Sequence, residues 1–112
     1  PVQKAIDDGY DRIVVILTRP KDTVREQKRD IGPARILKRS HPEAAEKLLN
    51  RYQTYNDEVA LAKEYEQDGR VLILAPESLY GLNTLSKSFE GLERMYRAGY
   101  AAVEAIPAFL ES

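Results

Sequence analysis

Ser78 is the residue of this sequence that comes nearest to a catalytic position. In Pro76-Glu77-Ser78-Leu79-Tyr80-Gly81 it follows an apolar run, where a strand-to-helix elbow can expose a nucleophilic serine. That elbow needs glycine two residues before and two residues after the serine, because only then can the tight turn form. No serine of the chain has both, so Ser78 reads as a helix-capping residue. The only histidine, His41, is the natural general base, yet it stands inside Ser40-His41-Pro42-Glu43, a helix-entry pattern that makes it a surface residue. There is no cysteine, which excludes thiol catalysis, disulfides and thiolate metal sites, and one histidine leaves no ligand set for a structural zinc ion. The acidic pairs Asp7-Asp8 and Asp57-Glu58 sit at expected helix ends, where solvation or a helix terminus accounts for them. Glycines 9, 32, 69, 81, 91 and 99 are scattered singly, so no phosphate-cradling loop is present. The sequence therefore offers no catalytic residue, no metal site and no cofactor site.

Charge is the remaining chemical feature. Eight basic residues lie between Arg19 and Arg39 against three acidic ones, and the balance reverses from Glu43 to Arg70, with seven acidic against four basic. Lys21, Arg25, Lys28 and Arg29 are the candidate contacts for an anion or a lipid head group, since their loop leaves the carboxyl end of an expected strand, where ligands of open α/β sheets bind. Against this, Asp22, Glu26 and Asp30 are expected to neutralise much of the charge. The segment has no aromatic residue for stacking on bases, so nucleic acid is not an expected partner.

The elements that must position these residues follow from the apolar pattern. Ile13-Val14-Val15-Ile16-Leu17 and Val71-Leu72-Ile73-Leu74 are unbroken apolar runs, the signature of parallel strands covered on both faces. The expected fold is α/β: two mainly parallel strands, at about 12–18 and 70–75, joined by a helical crossover and covered by helices. A two-stranded sheet is marginal in water, so the chain is expected to be one end of a larger α/β sheet domain, whose remaining strands either were cut away or come from a second chain. Pro1 to Gly9 reads as a short helix ended by glycine. Lys21 to Gly32 reads as a loop, with a helix opening at Pro33. A capping box at Ser40 starts one helix and Thr54-Tyr55 starts another, which Gly69 ends. The last helix runs from Ser88 to about Ile106, turning Phe89, Leu92, Met95 or Tyr96, Gly99 and Val103 toward the protein. Gly91 and Gly99 are candidates for close packing, because glycine inside a helix costs about 1 kcal/mol relative to alanine. Composition, with 43% hydrophobic and 31% charged residues, is that of a globular chain and excludes disorder.

Pro1 to Gly9 followed by Ile13-Val14-Val15-Ile16-Leu17-Thr18-Arg19-Pro20 resembles the segment just beyond the catalytic aspartate of bacterial patatin-like phospholipases. His41-Pro42-Glu43, Leu49-Asn50-Arg51, Tyr55-Asn56, the strand from Gly69 to Pro76 and Leu92 to Tyr100 resemble the C-terminal extension of the same proteins. The resemblance implies residues 1–39 as the end of the patatin-like α/β domain and 40–112 as the extension packed on it. It implies a parent that hydrolyses lipid acyl esters with a Ser-Asp dyad, whose glycine-rich oxyanion loop, Gly-x-Ser-x-Gly elbow and Asp-Gly-Gly or Asp-Gly-Ala motif have no counterpart here. On this expectation the chain is a structural portion without catalytic residues. Its partners would be the N-terminal catalytic part, a second copy through uncovered apolar faces, and a membrane surface through the parent; its compartment would be the cytoplasm. The alternative is an independent binding or oligomerisation domain presenting Arg19 to Arg39 to an anionic ligand.

Overall fold

Two helix–glycine–strand steps organise the fold. The computed structural model describes residues 1–82 and 87–112. Helix α1 (Val2–Asp7) ends at Gly9, whose φ of +89° suits a residue without Cβ. Gly9 N–H bonds to Ile6 C=O (3.0 Å) and Tyr10 N–H to Ala5 C=O (3.3 Å), a Schellman pair that closes the helix. The chain then enters β1 (Ile13–Ile16). The same geometry ends α3 (Pro42–Gln67): Gly69 has φ +76°, its N–H bonds to Glu66 C=O (3.1 Å), and Arg70 N–H bonds to Tyr65 C=O (3.2 Å). Strand β2 (Val71–Leu74) follows.

The strands pair in parallel, Ile13 opposite Val71 and Ile16 opposite Leu74, in a sheet of two strands. Ile13 and Leu17 donate their backbone N–H groups to Arg70 (2.9 Å) and Leu74 (2.8 Å). Because a parallel strand bonds one neighbour through alternate residues, Val14 and Ile16 turn their backbone groups to the opposite edge, where no further strand pairs among the described residues. On one face Val71 and Ile73 form a buried cluster with Val2 and Ala62, against which Ile13, Val15, Leu17, Leu61 and Tyr65 pack. Each fully buried valine or isoleucine stabilises by about 1.5–3 kcal/mol.

Contacts divide the chain into two compact units, Pro1–Thr23 with Leu61–Ser112, and Val24–Ala60, and α3 has residues in both. The boundary at 39/40 drawn from resemblance concerns a larger protein, whereas these units concern contacts within this chain. In the unit Val24–Ala60, α2 (Lys28–Leu37) begins five residues before the start expected at Pro33. Pro33 lies inside the helix and cannot donate to the Arg29 carbonyl. Tertiary bonds hold the first turn instead, including Gln27 Nε2 to Leu49 C=O (3.1 Å). The two helices expected from Ser40 and Thr54 are the single α3. Thr54 is accommodated by donating its hydroxyl to Asn50 C=O (3.4 Å) rather than starting a helix. The Ser40 capping box is not formed either: α3 begins at Pro42, and the Ser40 hydroxyl lies against Leu37 C=O (3.5 Å).

Helix α4 (Phe89–Ala102) starts as expected, with Ser88 Oγ accepting from Gly91 N–H (3.2 Å). It continues through a 3₁₀ turn (Val103–Ala105) into α5 (Ile106–Glu111). Gly91 is buried, and a Cβ there would meet the Leu82 side chain at 2.8 Å and Tyr80 C=O at 3.2 Å, so the helix does pack closely at this glycine. Around Gly99 nothing lies within 4 Å of that position, which corrects the second half of the expectation. The stripe Phe89, Leu92, Tyr96 and Val103 also faces outward, with Phe89 79% exposed. Periodicity identifies an apolar stripe but not the side that finds a partner.

Candidate functional site

The four basic candidates meet different fates. Lys21 binds Glu66 of α3 through its ammonium, and its neighbour Asp22 accepts from Lys63 (2.9 Å), which holds the Asp22 carboxyl below its ordinary range. In the other unit, Arg25 N–H donates to Asn56 Oδ1 (2.9 Å) while Arg25 C=O accepts from Asn56 Nδ2 (3.0 Å), so one side chain pins the backbone twice. The Arg25 guanidinium stands 5.5 Å from the Tyr55 ring centroid. Lys28 and Arg29, in the first turn of α2, are exposed.

Beneath that turn lies an interaction that charge counting missed. Asp30 is buried and receives two bonds from Arg51, Nε to Oδ2 at 2.9 Å and Nη2 to Oδ1 at 2.5 Å. This fork holds the Asp30 carboxyl below its ordinary range, against the opposing effect of burial. The sequence did carry a signal: Asp30, Ala34 and Leu37 share one helix face, and Ala34 is also buried. The acid of α2 thus points inward, and the opposite face carries cations. Lys28, Arg29 and Arg35, with Lys38 and Arg39 just after the helix, are all exposed.

Elsewhere, among the described residues, no catalytic arrangement emerges. Ser78 is not a helix cap; its Oγ accepts from Tyr80 N–H (2.9 Å) in a local turn that carries Tyr80 at φ +51°. His41 stands at the helix entry as expected, exposed, with Nδ1 2.9 Å from Ser40 Oγ. A serine beside a histidine needs a group to orient the ring and donors for an oxyanion; among the described residues no carboxylate bonds His41. Tyr55 and Tyr65 are half-buried, while Tyr96 and Tyr100 are exposed and meet in a tilted pair, ring centroids 5.3 Å apart. At the carboxyl ends of the strands a cavity of about 220 Å³ is bordered by Ile16, Leu17, Leu74 and Met95, with Thr18 the only side chain that could hydrogen-bond there. It can enclose apolar matter and contributes no acid, base or nucleophile. Among the described residues no group of three potential ligands could hold a metal ion, and no helix is long and apolar enough to cross a membrane.

The family model DUF6363, a domain of unknown function, matches residues 41–111. No curated protein and no solved structure matches the chain.

Proposed function

As the chain belongs to the DUF6363 family, we propose a role drawn from its own residues: it is the C-terminal structural portion of a patatin-like serine lipid acyl hydrolase, without catalytic action of its own. The observation that carries this reading is β1. Its residues are all apolar, none is buried, Ile16 is 70% exposed, and its outer edge pairs with no strand among the described residues. A strand of that composition belongs inside a sheet, and a further strand on the free edge with a covering element would supply what is missing. The family model begins at residue 41, next to the boundary at 39/40 that the resemblance implies. The absence of Gly-x-Ser-x-Gly from the sequence fits a portion that shapes and closes a sheet rather than one that cleaves esters.

The test is the reading frame that encodes this chain. It should also encode Gly-x-Ser-x-Gly and, later, Asp-Gly-Gly or Asp-Gly-Ala, and the whole protein should hydrolyse short-chain activated acyl esters while these 112 residues alone do not. A frame lacking either motif, or hydrolysis by the 112 residues that disappears in Ser78→Ala, would refute the proposal.

A further inference from the structure

Unit Val24–Ala60 carries a second feature that is independent of any parent hydrolase. We infer that the outward face of α2, together with Lys38 and Arg39, docks onto an anionic lipid bilayer surface. Five cations are exposed there, Lys28, Arg29, Arg35, Lys38 and Arg39, and among the described residues none of them forms an ion pair. The neutralisation expected from the sequence does not operate on this face. Asp30 is buried and bound by Arg51, which leaves Glu26 as the one exposed acid from Val24 to Arg39. A cation face with so few acids attracts an anionic surface across a Debye length and loses that attraction as salt rises.

Charge alone would suit a free phosphate or a nucleic acid equally well. The apolar residues of the same face decide between them. Ile36 is 82% exposed and Ile31 37% exposed, and both project among the cations. A helix that is basic and apolar on its outer face suits the interface of a bilayer, where cations meet head groups and aliphatic side chains enter the acyl boundary. Nucleic acid would instead call for aromatic side chains to stack on bases, and residues 24–51 contain none. A free phosphate has no use for isoleucine.

Co-sedimentation of the 112-residue chain with vesicles tests the inference, comparing phosphatidylcholine alone with phosphatidylcholine mixed with phosphatidylserine. Binding should need phosphatidylserine. The triple variant Lys28→Gln, Arg35→Gln, Arg39→Gln should bind about a hundred-fold more weakly at low salt, given the contribution of each charge near a membrane. The single variant Ile36→Ser should bind several-fold more weakly at raised salt, where the apolar contact carries more of the affinity. All four positions are exposed, so circular dichroism should match the parent chain. Equal binding by the triple variant, or no binding to phosphatidylserine vesicles, would overturn the inference. So would binding that inorganic phosphate at the same lipid-phosphate concentration abolishes, or retention of a single-stranded RNA oligonucleotide with Ile36→Ser indistinguishable from the parent on vesicles.

Discussion

The two compact units are held together by different physics. In Pro1–Thr23 with Leu61–Ser112, the centre is an apolar cluster of Val2, Ala62, Val71 and Ile73 under one face of the sheet. In Val24–Ala60 the buried apolar residues are small apart from Val59, and what fixes the loop before α2 and its first turn is polar: Asn56 on Arg25, Gln27 on Leu49 and Arg51 on Asp30. Apolar contact is non-directional and tolerates sliding, whereas a forked guanidinium–carboxylate pair sets one position. The difference teaches that a charge-rich segment can be well fixed without a large core, provided its few inward polar groups are matched.

Truncating the apolar centre should give the largest effect. Ile73→Ala should destabilise by about 2–4 kcal/mol in urea unfolding, while Ile16→Thr, at an exposed position of the partner strand, should stay within about 0.5 kcal/mol. Similar losses for both would mean that the apolar unit is covered more evenly than its exposures indicate. Next in size is Arg51→Met. It leaves the Asp30 carboxylate buried without its partner, at a cost of about 2–3 kcal/mol, below that of a fully buried pair because Arg51 is half exposed. A cost under about 0.5 kcal/mol would show that the polar unit does not depend on this fork.

The third prediction concerns acid. The Asp30 carboxyl is held below its ordinary value by the Arg51 hydrogen bonds, so its contribution is fully present above the ordinary carboxylate range and disappears as pH falls through the lowered folded value. The stability gap between the parent chain and Asp30→Asn should therefore narrow from neutral pH to below about pH 4. The Ile73→Ala gap should not change over that interval, since no titrating group is removed. A parallel narrowing of both gaps would assign the acid sensitivity to something other than this pair.

Much of the fold was legible because its signals are local. The apolar runs marked both strands, Gly9 and Gly69 marked the helix ends that feed them, and Ser88 marked the start of α4. What failed depended on distant partners. Pro33 and Ser40 carry helix-start chemistry, but tertiary bonds around Gln27 and Asp30 extend α2 upstream, and Pro42 takes the first position of α3. Thr54 carries start chemistry too, yet one bond to Asn50 lets it sit mid-helix. For the basic segment, sequence supplied the cations but not their division into bound and unbound, because counting Asp30 as a neutraliser assumed that it faces solvent.

The glycine turns at 9 and 69 place a constraint of handedness on the chain rather than one of size. Nothing within 4 Å would crowd a side chain at either position, so what bars an ordinary residue is the sign of φ alone. An L-amino acid is strained there by about 1–2 kcal/mol, whereas a residue of the opposite configuration has that backbone region as its natural one. Each strand is therefore reached through a single achiral joint. The route by which the chain passes from helix into sheet depends, at those two points, on the one genetically encoded residue that is indifferent to mirror reflection.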